Sequence, residues 1–318
     1  MMQSLSRRSV LRIAAAASTY SFIRSRAYAE TGGVKITTEE VAPGVFVSAG
    51  RHELMSAQNG GHISNVSFVI GRDAVAVIDT GGSAGVGRAL LAAVRLLTDR
   101  PIRYVINTHM HPDHVFGNAA FARPETVFAG HAKLARALSA RGDRYLSVNK
   151  LDLGQDDFEG TRIVLPTLTV EGVRMLDLGD RTLTLTARRT AHTDNDLTVR
   201  DEKTGTLFLG DLLFSGHVPT LDGSIKGWLA LLAELQLEPA ARVVPGHGPA
   251  SMTWPEAMTA EANYLNTVAR DVRKTIADGR PLDEAMRTAA LSEKPAWLLF
   301  DDFHARNVAA AFAELEWE

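Results

Sequence analysis

Apolar positions along this chain recur in two rhythms. At Val45–Ser48 and at residues 65–70, 74–79 and 102–107 they form short, nearly continuous runs bounded by glycine or polar residues, as buried strands do. Between the last two runs lies Ala84–Leu97, an amphipathic stretch that reads as a helix. These elements predict a meander leading into a βαβ unit. Residues 129–131, Ala-Gly-His, then open a helix running to Leu146, with Ala132, Ala135 and Leu138 on one face. Strands resume at residues 173–178, 183–189, 197–201 and 206–209, with 202–205 as a hairpin turn. From Trp254-Pro255 onward the pattern is helical over 255–272, 282–290 and 307–315, interrupted at Gly279-Arg280-Pro281.

Two successive runs of strand followed by helix imply a pseudo-repeat around a central sandwich. The predicted fold is α/β, a four-layer αββα arrangement with a C-terminal helical cap over residues 255–318. No long Ser/Gly/Pro linker separates that cap, so residues 30–318 read as a single domain. The chain has 318 residues, 45% of them hydrophobic, enough for a core of that size.

The chemistry concentrates where predicted strands end. The run at 102–107 leads into His109-Met110-His111-Pro112-Asp113-His114, four metal-ligand side chains besides the Met and Pro. Alternate positions of an extended segment point the same way, so His109 and His111 can grip one ion while Asp113 and His114, past the Pro112 bend, address another. Three other strand ends supply candidates: Ala191-His192-Thr193, Gly210-Asp211, and Pro245-Gly246-His247-Gly248. Ligands gather at such ends in open sheet folds. Imidazole and carboxylate both suit zinc.

This order of motifs resembles the metallo-beta-lactamase-fold hydrolase superfamily over residues 34–249 and the helical tail. The first motif matches Ala76-Val77-Ile78-Asp79-Thr80-Gly81, the second His109 to His114, and the rest His192, Asp211 and His247. The resemblance implies that His109, His111 and His192 hold one Zn2+, that Asp113, His114 and His247 hold a second, and that Asp211 bridges them. Asp79 would orient the motif from outside the ligand set, since metal-bound His needs an outer hydrogen-bond partner. It implies a hydroxide shared by the two zinc ions as nucleophile, with Asp113 orienting it as the catalytic residue, and attack on an ester, thioester, lactone or related small molecule.

Asp211 also separates branches of that superfamily. Class B lactamases of this pattern tend to carry Cys or Ser there, whereas thioesterase, lactonase and phosphodiesterase branches carry Asp. Mononuclear iron dioxygenases of the fold keep a His-x-His-x-Asp-His motif and form the alternative enzyme class. A metal- or cofactor-binding accessory role is the non-catalytic alternative. The stretch from Gly210 to Ser224 with Gly227-Trp228-Leu229 resembles the periplasmic quinoprotein relay system zinc metallohydrolases, which implies a link to a quinoprotein dehydrogenase pathway rather than a substrate.

The N-terminus points to the same compartment. Ser6-Arg7-Arg8-Ser9-Val10-Leu11-Arg12 is a twin-arginine pattern, followed by a short apolar run at 13–17 and the small-x-small site Ala27-Tyr28-Ala29. Cleavage after Ala29 is expected, giving a signal peptide over 1–29 and a periplasmic product with no stable membrane anchor. The formal charge of −3 becomes −8 once the five arginines of that segment are gone. An acidic chain without a basic run argues against nucleic acid as partner and against an anionic membrane surface. With no cysteine, neither disulfide nor thiolate chemistry is available.

Five histidines fall outside the ligand set. His131 and His304 lie in helical patterns and read as packing or surface residues. His52 and His62 flank Gln58-Asn59-Gly60-Gly61, where relatives carry a mobile flap, and are substrate candidates. His217, six residues after Asp211, is the third, with Asp222 holding its loop.

Overall fold

Backbone pairing sorts the apolar runs into two sheets whose strand ends meet at one edge. The computed structural model describes residues 26–31 and 33–318. The twin-arginine motif and the apolar run 13–17 lie outside the described residues.

The first sheet holds β1 (Arg26–Thr31), β2 (Val34–Ala42), β3 (Val45–Ser48), β4 (Val66–Ile70), β5 (Val75–Ile78), β6 (Ile102–Ile106), β7 (Val127–His131) and β8 (Leu168–Val170), side by side in chain order. Pairing is antiparallel as far as β5 and parallel from β5 to β8. Parallel neighbours need crossovers. The helix α1 (Ala84–Leu97) joins β5 to β6, the single turn α2 (Pro112–Val115) follows β6, and α3 (Leu134–Asp152) with the short α4 (Gln155–Phe158) precede β8. The Ser83 side chain caps α1 by accepting from the Val86 amide at 3.2 Å.

The second sheet contains β9 (Val173–Asp177), β10 (Thr182–Ala187), β11 (Leu197–Asp201), β12 (Thr206–Phe214) and β13 (Arg242–His247), in the order β13-β12-β11-β10-β9. Only β12 and β13 run parallel, linked through α5 (Ile225–Leu235). Three helices follow: α6 (Thr259–Ala277), α7 (Leu282–Thr288) and α8 (Phe300–Leu315).

Three buried clusters make these elements four layers. Val47, Val69, Ile78 and Ile106 of the first sheet meet Leu183, Leu185, Val199 and Phe208 of the second. On the outer face of the first sheet, Phe68, Val77 and Val105 pack with Val86, Leu90 and Val94 of α1. Beyond the second sheet, Leu207, Leu209 and Val243 share a cluster with Trp228, Tyr264, Val268 and Val308 from α5, α6 and α8. The C-terminal helices thus cover the second sheet, and the fold is the αββα sandwich with its helical cap. Among the described residues no helix is long and apolar enough to cross a membrane.

One predicted element changes. Residues 129–131 close β7 rather than open a helix, because Val127, Phe128 and Ala129 pair in parallel with Tyr104, Val105 and Ile106; the helix starts at Leu134. His131 is therefore a strand-end residue, its Nδ1 accepting from the Lys133 amide at 3.0 Å. Residues 27–29, the expected cleavage site, lie in β1, which pairs with β2 from Arg26 opposite Glu39 to Thr31 opposite Val34.

One buried ion pair ties the sheets together. Arg181 donates Nε and Nη2 to Asp201 at 2.9 and 2.7 Å, and Nη1 to the carbonyls of Pro43 and Ile70, both at 3.0 Å. Asp201 is completely buried. Arg181→Leu should therefore lower unfolding stability by about 3–5 kcal/mol, since it strands a buried carboxylate. Urea unfolding midpoints will show this. The double variant with Asp201→Leu should recover most of the loss, and a double variant as unstable as the single one would contradict the reasoning.

Candidate metal centre

Six of the seven candidate ligands sit at or beyond the end of a strand, and the seventh, Asp211, lies inside β12, which runs on past the predicted end at residue 209 to Phe214. Past β6 the chain bends through residues 108–110 to His111, whose backbone is extended, and Pro112 then starts α2, which carries Asp113 and His114. His192 lies in the loop between β10 and β11, Asp211 within β12, and His247 ends β13. Local backbone makes room for this convergence. Gly210 has φ +53°, and a Cβ there would lie 2.6 Å from Thr108; a Cβ on Gly246 would lie 1.9 Å from Asp211 Oδ1. No side chain fits at Gly246 while the carboxylate stays in place.

The result is two adjoining clusters. His109, His111, His192 and Asp211 form one, and Asp113, His114 and His247 the other, the ligand atoms of each within 4.8 Å of one another. Asp211 stands between them. Its Oδ1 lies 3.0 Å from His114 Nε2, and its Oδ2 lies 3.4, 3.5 and 3.6 Å from the Nε2 atoms of His192, His247 and His109. Asp113 Oδ2 is 3.2 Å from His247 Nε2 and 3.4 Å from His114 Nε2.

The other nitrogen of every imidazole is already held. His109 Nδ1 is 3.0 Å from Thr108 Oγ1, His114 Nδ1 is 2.8 Å from Asp79 Oδ2, and His111 Nε2 is 3.1 Å from Asp222 Oδ2. His192 Nδ1 faces the Thr220 carbonyl at 2.6 Å, and His247 Nδ1 the Ile63 carbonyl at 3.0 Å. A donor N–H spent on an outer acceptor leaves the inner nitrogen with its lone pair free. In keeping with this, His109 Nε2, His114 Nε2 and Asp211 Oδ1 are buried yet lack any hydrogen bond. Buried polar atoms left without partners are costly. Metal ions at the two clusters would satisfy all three, and the donor set fits them.

Electrostatics divide the site in the same way. Burial, reinforced by neighbouring imidazoles, holds His109 well below the usual histidine range, and His192 is pushed down to about 3. Burial acts against charge on His114 and His247 as well, but there it is outweighed by Asp211 and Asp113. His114 is held well above its ordinary value and His247 rises to about 9. For Asp113 and Asp211 burial is likewise overcome, chiefly by His114 and His247, and both stay well below the usual carboxylate range. The cluster is thus a set of preformed carboxylates and imidazoles, with positive charge drawn to the side of His114 and His247.

A family model described as the metallo-beta-lactamase superfamily matches residues 59–247. That span contains all seven clustered donors. The chain belongs to the metallo-beta-lactamase superfamily. Solved structures of the superfamily's fold agree. A stereoselective inverting sec-alkylsulfatase from Pseudomonas sp. superposes with TM-score 0.67 at 15% identity, covering 86% of this chain and 49% of its own. A protein named TMB-1 superposes with TM-score 0.56 at 20% identity, over 73% of this chain and 97% of its own. A linear primary-alkylsulfatase from Pseudomonas sp. (strain ATCC 19151) is 40% identical over 58 residues, 18% of this chain and 11% of that one. The chain spans about half the length of the alkylsulfatase structure it resembles.

Within this superfamily fold the remaining sequence candidates separate. Asp79, at φ +55°, accepts from the Thr108 amide and hydroxyl at 2.9 and 2.7 Å and holds His114. It fixes ligands on both sides of the β6 turn. His217 lines the cavity over the clusters, stacked on His247 with ring centroids 5.0 Å apart, and its buried Nδ1 has no partner. His52 sits beside it, centroids 6.4 Å apart. His62 is buried, 3.3 Å from Ser48 Oγ, and burial lowers its pKa to about 4. The flap loop reaches the cavity instead through Glu53, Leu54, Met55 and Ile63. His304 packs between Tyr264 and the Ala289 carbonyl.

Sequence reasoning gave Asp222 only a loop. The structure gives it His111, Arg141 in direct contact, and Arg306 at 3.8 Å. Its carboxyl is held below the usual range, burial being outweighed by His111 and Arg141. Only the rule that metal-bound histidines require outer acceptors signalled such a residue.

Proposed function

We propose that this protein is a periplasmic dinuclear zinc hydrolase of an ester, thioester, lactone or related small molecule, linked to a quinoprotein dehydrogenase system. The observation that carries the reading is the seven-donor cluster, in which every imidazole has its outer nitrogen occupied and turns its inner nitrogen toward the other donors, His192 Nε2 and His111 Nδ1 lying 2.9 Å apart. A set of imidazoles and carboxylates without sulfur suits zinc, and its division into groups of four and three, with Asp211 adjoining both, suits a pair of ions. Bound there, zinc supplies Lewis acidity and lowers the pKa of water toward neutrality.

The chain's own residues do the rest. His109, His111 and His192 hold one position, and Asp113, His114 and His247 the other. Asp211 Oδ1 and Oδ2 face both sets and keep their spacing. Asp113, at the cavity floor and only 9% exposed, offers Oδ2 as an acceptor that stays unprotonated at working pH. The twin-arginine motif and the Ala27-Tyr28-Ala29 site support export, and the stretch from Gly210 to Leu229 supports the quinoprotein link.

The test is elemental analysis of protein recovered from the periplasm, together with a panel of chromogenic esters, thioesters, lactones, phosphodiesters, sulfate esters and cephalosporins. Two zinc ions per chain and one strongly preferred hydrolysable class are expected. One iron per chain with no hydrolysis would instead establish the iron dioxygenase alternative. Sulfate esters belong in the panel because of the 40% identical stretch shared with a linear primary-alkylsulfatase.

A further inference from the structure

The cavity over the clusters has a volume of about 440 Å³, and the ligands His111, Asp113, Asp211 and His247 form its floor. Its walls come from distant parts of the chain. Leu54 and Met55 descend from the loop after β3, Tyr145 and Val148 from α3, and Phe303 from α8. Leu54 and Val148 are about half exposed, at 47% and 49%, and converge on the same opening. Apolar side chains left open to water around a polar floor are what an apolar portion of a ligand covers.

The charges of that opening point one way. Apart from the ligands, its charged residues are Glu53, Arg144 and Arg306. Glu53 is engaged, 3.9 Å from Arg51 and accepting from Asn59 Nδ2 at 3.2 Å. Arg306 reaches only Asp222, at 3.8 Å, and that carboxylate is already taken up by His111 and Arg141. Among the described residues Arg144 makes no ion pair. Two guanidinium groups with unspent hydrogen-bonding capacity thus flank one cavity, in a chain whose overall balance is acidic. Such groups match carboxylate, phosphate and sulfate oxygens in pairs.

We propose that the substrate is an anionic amphiphile, its apolar body against Leu54, Met55, Val148 and Phe303 and its anionic group between Arg144 and Arg306. This rests on the hydrolase reading and names the class of substrate for that site. The charge has two possible sources: a carboxylate remote from the bond that is cleaved, or a sulfate that is itself part of it. In either case one water is consumed: its oxygen bonds to the acyl carbon or the sulfur, the bond from that atom to the leaving oxygen or thiol sulfur breaks, the alcohol or thiol takes one proton, and the carboxylate or sulfate is released with the other, so no oxidant or reductant is needed.

The test uses the metal-loaded full chain and the variant Arg144→Gln/Arg306→Gln. Calorimetric binding of octanoate, octyl sulfate and octanol is measured first. Both anions should bind well above octanol, and the double variant should weaken them about ten-fold or more. Anions held by the metals alone would bind the variant as tightly as the parent, which would overturn the proposal. Hydrolysis then locates the charge, by comparing a p-nitrophenyl ester bearing a terminal carboxylate with its methyl-ended analogue, and by octyl sulfate. A charged-to-neutral ratio in kcat/KM above ten that collapses in the variant assigns a remote carboxylate, and turnover of octyl sulfate assigns a sulfate ester. Equal kcat/KM for both p-nitrophenyl esters with no turnover of octyl sulfate would refute the proposal and leave the hydrolase reading standing. Arginine-dependent anion binding without hydrolysis of anything would do the reverse.

Discussion

Asp211→Ala should strip the protein of bound metal and cut hydrolysis on the order of 10³-fold, beyond the roughly 10–100-fold that loss of an outer partner costs. The carboxylate is 3% exposed and lies within 3.6 Å of His109, His114, His192 and His247. Among the described residues it is therefore the one acid that adjoins both clusters. His114 and His247 owe their raised pKa values first to Asp211, which overcomes the cost of burial. Without it, the two clusters lose the carboxylate that both of them face. Nothing nearby can substitute, because Gly246 occupies the facing position and has no room for a side chain. Metal content by emission spectroscopy, read beside kcat/KM on the best substrate, measures both effects. Two ions per chain and parental turnover in the variant would show that the clusters do not depend on a shared carboxylate.

Much of this centre was visible before any coordinates. His109, His111, Asp113 and His114 lie within one turn, and the apolar run before them marks the strand that aims them. His192, Asp211 and His247 announced themselves by following apolar runs that could only be buried strands. The predicted helix at Ala84–Leu97 coincides with α1, since its apolar stripe and its Ser83 cap are both local signals. What local signals do not encode is pairing. Val127–His131 is a short apolar run beside an alanine-rich helix, and periodicity alone does not divide the two; its parallel pairing with β6 does. The helix α5 is absent from the sequence expectations because Gly210 to Ser224 with Gly227-Trp228-Leu229 carries a family resemblance rather than an element, although Ser224 caps the helix by accepting from the Gly227 amide at 2.9 Å.

The same limit governs the site's surroundings. Asp222 and His111 are 111 positions apart, and Arg144 and Arg306 come from α3 and α8. None of these partnerships has a spacing that could be read along the chain. The two flap histidines were reasonable candidates for the opposite reason, a local glycine-rich pattern. Yet the fold turns His62 into the space beside Ser48 and brings Leu54 and Met55 to the cavity instead.

Asp113→Asn is expected to separate holding metal from using it. Asparagine keeps the shape of the side chain and one carbonyl oxygen, so the His114 and His247 cluster should retain its ion. It cannot take up a proton, and it presents an N–H₂ group where the carboxylate offered an acceptor. The backbone around it is fixed independently, its carbonyl accepting from the Ser64 hydroxyl, so the change is confined to the side chain. If Asp113 orients and deprotonates the attacking water, kcat should fall by about 10²–10⁴-fold, the range of a lost general base. KM should change far less, because the apolar walls and Arg144 and Arg306 are untouched. Asp211→Ala would differ in losing metal as well as turnover. Full metal content with an unchanged kcat in Asp113→Asn would remove Asp113 from the chemistry and reduce it to a ligand.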